Sequence, residues 1–208
     1  MAKSKHSKKW LREHFEDAYV KRRLQDGYRS RASYKLLEIQ RKDRLIKPGM
    51  TVLDLGAAPG SWSQVATELV GSTGKVFASD LLPMEEIVGV NFTKGDFTDQ
   101  IVCDSLLKEF AGSLIDLVIS DMAPNTSGIQ EIDQPRSIYL SELALDLARS
   151  VLKPEASFLV KVFQGEGLDA FQSELRDSFR TAKVRKPAAS RSRSRELYLL
   201  AQGFALVG

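Results

Sequence analysis

Three charged residues interrupt apolar runs at what read as strand ends, and they are where chemistry could reside. Lys161 lies inside Phe158-Leu-Val-Lys-Val-Phe163, Asp121 follows the apolar start of Ile119-Ser-Asp-Met-Ala-Pro-Asn125, and Glu196 opens the run in Arg195-Glu-Leu-Tyr198. A lysine in an otherwise apolar strand is costly to bury unless it is paired or functional, and two carboxylates stand ready to pair with it. Both histidines, His6 and His14, fall in the basic N-terminal stretch, which argues against histidine acid–base chemistry and against a histidine-ligated metal. No G-x-S-x-G elbow, P-loop or C-x-x-C pair is present, so nucleophilic hydrolysis and nucleotide hydrolysis lack their usual parts.

The strongest single motif is Asp54-Leu-Gly-Ala-Ala-Pro-Gly60, at the end of the first predicted strand and the start of a helix. Gly56 and Gly60 remove side chains where a ligand must approach backbone, at the carboxyl end of a sheet. A dinucleotide loop would read G-x-G-x-x-G, whereas here Ala58 stands at the second glycine position and Pro59 removes a donor N–H. Asp54 disfavours a phosphate and favours a cation, which the sulfonium and ammonium of S-adenosylmethionine supply. Asp80 ends the second predicted strand about 20 residues after Gly60, the spacing at which a carboxylate accepts both ribose hydroxyls of an adenosine. Asp96, in Gly95-Asp-Phe97 after the third strand, could with its aromatic neighbour read the adenine. Trp62, at the helix start, serves either core packing or cofactor contact.

These residues need a scaffold, and the apolar pattern supplies one. Strands are predicted at Thr51 to Leu55, Lys75 to Asp80, Asn91 to Lys94, Ile115 to Ser120, Phe158 to Phe163 and Glu196 to Ala201. Helices are predicted at Ser61 to Val70, Ser137 to Val151, Leu168 to Phe179 and Arg31 to Asp43. In the last of these Ala32, Leu36 and Ile39 form one face, and Lys35, Glu38 and Lys42 mark another. Alternating strands and helices imply βαβ units: an α/β, Rossmann-like fold with a mostly parallel central sheet and helices on both faces.

A chain of 208 residues with 43% hydrophobic residues fits a single domain, with a basic N-terminal arm and helix at about residues 1–47. Cys103 is the only cysteine, so no internal disulfide can form, and no apolar stretch reaches the ~20 residues that cross a bilayer. A cytoplasmic protein without membrane contact is expected. The formal charge of +3 hides segregation: residues 1–47 hold 15 Lys/Arg against 6 Asp/Glu, residues 48–182 hold 9 against 20, and residues 183–208 hold 6 against 1. An acidic middle between two basic ends suits a polyanion such as RNA, because basic residues gain affinity by displacing counterions from phosphates.

Taken together, Asp54-Leu-Gly-Ala-Ala-Pro-Gly-Ser-Trp62, Ser120-Asp-Met-Ala-Pro-Asn125, Lys161-Val-Phe-Gln-Gly165 and Ser192-Arg-Ser-Arg-Glu-Leu-Tyr198 closely resemble the FtsJ family of methyltransferases, over the span from Trp10 to Gly203. The resemblance implies S-adenosylmethionine-dependent 2'-O-methylation of a uridine ribose in 23S RNA of the large ribosomal subunit, by a monomer. It implies a catalytic Lys-Asp-Lys-Glu tetrad at Lys35, Asp121, Lys161 and Glu196, and cofactor contacts at Gly60, Trp62, Asp80, Asp96 and Asp121. This sequence departs from the family at Ser61, where glycine often repeats, and at Glu155-Ala156, where a Gly-Gly turn is usual and where a loop is expected. Lys161 would accept the ribose proton; the ammonium of Lys35 favours its neutral form, whereas Asp121 and Glu196 favour the charged one. Rival readings are a methyltransferase of transfer RNA or of an mRNA cap, a catalytically silent RNA-binding module, and, disfavoured by its glycine pattern, a NAD-dependent oxidoreductase.

Overall fold

The computed structural model describes residues 18–124, 127–191 and 194–205. Seven strands form one sheet: β1 (Thr51–Leu55), β2 (Lys75–Asp80), β3 (Val90–Lys94), β4 (Ile115–Ser120), β5 (Leu152–Phe163), β6 (Phe179–Arg185) and β7 (Glu196–Phe204). Their order is β3-β2-β1-β4-β5-β7-β6. The first five run parallel, and β7 enters antiparallel between β5 and β6. The described helices are α1 (Ala18–Asp26), α2 (Ala32–Asp43), α3 (Ser61–Val70), α4 (Gln100–Glu109), α5 (Gln130–Val151) and α6 (Leu168–Ser178).

Central strands buried on both faces read as apolar runs, and here alternate residues serve two cores. Leu53, Leu55, Val118, Phe158 and Val160 join a cluster with Leu106 of α4, Leu145 of α5 and Phe171 of α6. Val52, Leu117, Ile119 and Leu159 join another with Leu36 and Ile39 of α2 and Val65 of α3. The expected fold class, a mostly parallel sheet covered on both faces, is the one found.

Apart from one-residue differences at the ends of β3, α2 and α6, and from β7, which runs on from the expected Ala201 to Phe204, the elements differ from expectation as follows. β5 starts at Leu152 rather than Phe158, so Glu155 is not in a loop but in the strand that carries Lys161, at φ +68°, beside a register shift against β4. α5 starts at Gln130 rather than Ser137 and contains Pro135. α1, α4 and β6 were not anticipated: α1 and α4 each bury a single residue, and β6 carries Arg180, Lys183 and Arg185 on the sheet edge. Among the described residues no helix is long and apolar enough to cross a membrane.

Candidate active site

Parallel strands all end at one edge of the sheet, and β7, running the other way, begins there. Asp121 follows β4, Lys161 lies near the end of β5, and Glu196 opens β7. Lys161 pairs with Tyr198 and Phe163 with Glu196 across the β5–β7 ladder. Paired residues share a face, so Lys161, Tyr198 and Glu196 all point toward α2 and α3, the face on which Lys35 stands.

The four tetrad residues named from the sequence are brought together. Lys161 Nζ lies 3.0 Å from Asp121 Oδ1 and also donates to the Asp121 carbonyl. Lys35 Nζ lies 2.8 Å from Glu196 Oε1, 2.9 Å from Glu196 Oε2 and 3.8 Å from Asp121 Oδ1. Both ammonium groups thus converge on a single oxygen, and a third donor, the Tyr198 hydroxyl, reaches it at 2.7 Å. Burial acts to raise the Asp121 carboxyl, but Lys161, Lys35 and Tyr198 outweigh it and hold the group below the usual carboxylate range. Burial, with Asp121 and Glu196 alongside, pushes the Tyr198 phenol well above its ordinary value, so Tyr198 stays a donor.

Second contacts fix the carboxylate of Glu196 and the helix that carries Lys35. Ser190 Oγ donates to Glu196 Oε1 at 2.8 Å. The backbone N–H groups of Ala188 and Ala189 donate to Glu38 on α2 at 2.6 and 3.0 Å, and Arg31 donates to the Ala189 carbonyl. Arg185 at the end of β6 grips Asp43 at the end of α2, with Nε donating to Oδ2 at 2.7 Å. Of the basic residues at the two ends of the chain, which could position the RNA backbone beside these groups, Lys8, Lys9, Arg12 and Arg193 lie outside the described residues. Arg22 pairs with Asp26 at 3.0 Å, Arg23 donates to the Arg29 carbonyl at 2.8 Å, and Arg191 lies close enough to Arg31 to lower its guanidinium, after burial, the larger cause.

One sheet position over, the loop 56–60 turns between β1 and α3. Gly56 and Gly60 adopt φ of +73° and +100°, which a side chain would strain. Asp80 accepts from Ala58 N at 2.9 Å and Leu82 N at 2.8 Å, which orients its carboxylate at the strand end. Asp96 is exposed and caps its own turn by accepting from Thr98. Asp54 is fully buried, accepts from Ser63 Oγ at 2.6 Å, and leaves Oδ1 without a partner. Burial pushes its carboxyl up to about 7 against the Ser63 hydrogen bond, and the charges of Asp121 and Asp80 add to the rise. Trp62 is 2% exposed, spends its indole N–H on Ala32 O at 2.9 Å, and packs its ring 5.5 Å from Tyr198. In this conformation neither Asp54 nor Trp62 presents surface to a ligand; both support the loop from beneath.

Sequence reasoning passed over Tyr198, Ser190 and Arg29. Tyr198 sits two residues after Glu196 on a strand, so period-2 alternation already placed both on one face. The Arg29 guanidinium donates to Pro59 O at 2.9 Å, Glu85 O at 2.7 Å and Glu86 O at 2.8 Å, tying the loop 56–60 to the β2–β3 connection. Nothing in the residue pattern around Arg29 announces those carbonyl partners.

This fold, with a glycine loop after β1 and a Lys-Asp-Lys-Glu cluster at the strand ends, defines a class. The model of the FtsJ-like methyltransferases matches residues 28–204, and the chain belongs to that family. It is 61% identical over 208 residues to "Ribosomal RNA large subunit methyltransferase E" of Chromohalobacter salexigens, covering 98% of this chain and 99% of that one. The protein of the same name from Pseudomonas aeruginosa is 58% identical over 204 residues, covering 98% and 99%. A Plasmodium falciparum structure, provisionally assigned as a ribosomal RNA methyltransferase, superposes with a TM-score of 0.77 at 30% identity, over 85% of this chain and 98% of that one.

Proposed function

We propose that this protein transfers a methyl group from S-adenosylmethionine to the 2'-hydroxyl of a uridine in the 23S RNA of the large ribosomal subunit. The observation that carries this reading is the pinned Lys161 amine, held on Asp121 at 3.0 Å among the described residues at the strand ends. The names of the relatives at 61% and 58% identity support the large-subunit RNA as substrate.

The residues present fit the cofactor. Asp54 Oδ1 and the Ser79 and Ser120 hydroxyls are buried without hydrogen-bond partners, at the ends of β1, β2 and β4. Gly56 and Gly60 keep backbone bare there, Asp80 and Asp96 offer carboxylates to ribose and adenine, and the acidic surroundings suit a cation. When bound, the cofactor supplies an electrophilic methyl group on a sulfonium.

Methyl transfer is largely a matter of alignment and of one proton. Lys161 Nζ, once it has released a proton to solvent and become the neutral amine, accepts the ribose hydroxyl proton as the ribose oxygen gains the methyl group. Asp121 orients that nitrogen, and Lys35, anchored by Glu196, brings a second cation to the same carboxylate and stabilises negative charge developing on the oxygen. Basic groups at the rim, Arg31 and Arg191, meet the phosphates. The test is mass mapping of large-subunit RNA from a strain lacking the gene, before and after incubation with purified protein and S-adenosylmethionine. A mass gain of one methyl group on one uridine ribose is expected; no gain on large-subunit RNA refutes the reading.

A further inference from the structure

A cavity of about 310 Å³ opens between the segment after Asp121 and the turn after Lys161. That size falls within the roughly 300–1,000 Å³ of small-ligand sites. It is lined by Pro124, Asp133, Gln134, Phe163 and Arg195. Pro124 follows Asp121 by three residues, Phe163 follows Lys161 by two and pairs in register with Glu196, and Arg195 adjoins Glu196. Its walls are therefore near chain neighbours of three tetrad members, as the surroundings of the reacting ribose must be.

Gln134 gives the cavity its polarity. It is 6% exposed, and its Nε2 donates to Phe163 O at 3.0 Å and Glu166 O at 2.9 Å. With both amide hydrogens committed to carbonyls, the amide cannot flip without setting oxygen against oxygen, so Oε1 is fixed as an acceptor. No donor among the described residues reaches Oε1. Gly165 makes the arrangement possible: a Cβ there would stand 2.9 Å from Oε1 and 2.6 Å from Arg195 Nη2. The cavity is not built for an anion, because the carboxylate of Asp133, held by Ser127 and Gly128, balances Arg195. Apolar walls, one fixed acceptor and balanced charge suit a neutral planar group.

We propose that this cavity receives the base of the nucleotide being methylated, with Gln134 Oε1 accepting the imide N–H of a uracil between the apolar surfaces of Pro124 and Phe163. RNA is read in this way where a base is unstacked, placed against an aromatic side chain and bonded along its Watson–Crick edge. Cytosine turns a ring nitrogen lone pair toward Oε1 in place of the N–H, so it is rejected. Gln134 is thus a specificity-determining residue, and this role rests on the ribose-methylation reading above.

The experiment compares methyl transfer to large subunits, isolated from a strain lacking the gene, that carry either uridine or cytidine at the mapped acceptor position. The wild type is expected to favour uridine by roughly 5- to 150-fold in kcat/KM, the range one well-placed base contact supplies. Gln134→Met should bring the two substrates close together with S-adenosylmethionine affinity as in the wild type, while the melting temperature falls because the Phe163 and Glu166 carbonyls lose their donor. Phe163→Leu keeps an apolar side chain without the aromatic face, and should lower kcat/KM on both substrates while leaving their ratio unchanged. Equal use of both substrates by the wild type overturns the base pocket whether or not the variants fold, and a preference retained in folded Gln134→Met does so too. A wild type that methylates neither substrate overturns the functional reading itself.

Discussion

At the scale of single residues, Lys161 separates chemistry from packing. Its amine serves Asp121, and removal leaves that carboxylate with Lys35 at 3.8 Å and the Tyr198 hydroxyl at 2.7 Å, so no buried charge is stranded. Lys161→Ala should lower methyl transfer by about 10²- to 10⁴-fold, the usual contribution of a positioned acid–base group. Its melting temperature and S-adenosylmethionine dissociation constant should stay near wild type; near-normal turnover removes Lys161 from the mechanism. Asp54 gives a pH dependence. Its folded-state pKa of about 7 lies above the ordinary carboxylate value, so the folded state holds the extra proton between about pH 4 and 7. Stability attributable to Asp54 is therefore full at the acid end of that window, falls as pH rises through it, and levels off above 7. A cationic ligand on the loop favours the ionised form, so S-adenosylmethionine should bind more tightly at pH 8 than at pH 6 in calorimetry. S-adenosylhomocysteine, which lacks the sulfonium charge, should show the weaker trend, and Asp54→Asn should abolish the difference. Asp121, Lys161 and Glu196 were legible because each breaks an apolar run. Lys35 was not, since one more cation on a basic helix carries no mark of its own, and only the family resemblance singled it out. The Tyr198 hydroxyl escaped notice because its acceptor lies 77 residues away.

Among elements, those with a strong apolar rhythm were legible and those on the periphery were not. β1, β2, β4 and α3 have the expected bounds because each is buried along most of its length. α4 escaped because Ile101 is 80% exposed and Leu107 is 38% exposed, so its apolar residues do not mark one buried face. α5 was truncated because a proline ordinarily ends a helix, yet Pro135 sits just beyond the first turn, where few intrahelical N–H bonds are lost. β5 was truncated at its irregular start, where Glu155 adopts the left-handed conformation that glycine takes without strain. Glu155 keeps an ion pair with Arg180, but both side chains are about two-thirds exposed, so that pair contributes little. Glu155→Gly should therefore stabilise the fold by about 1 kcal/mol in urea unfolding, with kcat unchanged. A loss of stability would mean that the Arg180 contact outweighs the backbone strain.

For the whole molecule, charge segregation was legible from the sequence, and the surface it forms was not, because position on a chain does not give position in space. α1 carries Lys21 and Arg22, and the β6–β7 connection carries Arg191 and Arg195. If these groups hold phosphates, log affinity for large-subunit RNA should fall linearly with log salt, by about 0.7 to 0.9 in slope per phosphate contacted. Replacing Lys21, Arg22 and Arg191 together by alanine should flatten that slope while leaving S-adenosylmethionine affinity as it was. An unchanged slope would place the RNA on another surface.

The position of β7 carries a consequence in time. It is the last strand in sequence, yet it lies between β5 and β6, and the Lys35–Glu196 contact it brings closes a loop of 161 residues. Closing long loops is entropically late, since the cost must be met before the distant contacts form. Until β7 inserts, Lys161 has no Tyr198 opposite it, Lys35 has no Glu196, and the ring of Trp62 lacks its neighbour at 5.5 Å. Completion of the sheet and completion of the catalytic site are thus one event. In a refolding experiment the fluorescence change of Trp62, followed in a chain with Trp10 replaced by phenylalanine, should track the return of methyl transfer in a single phase, after most helical signal has recovered.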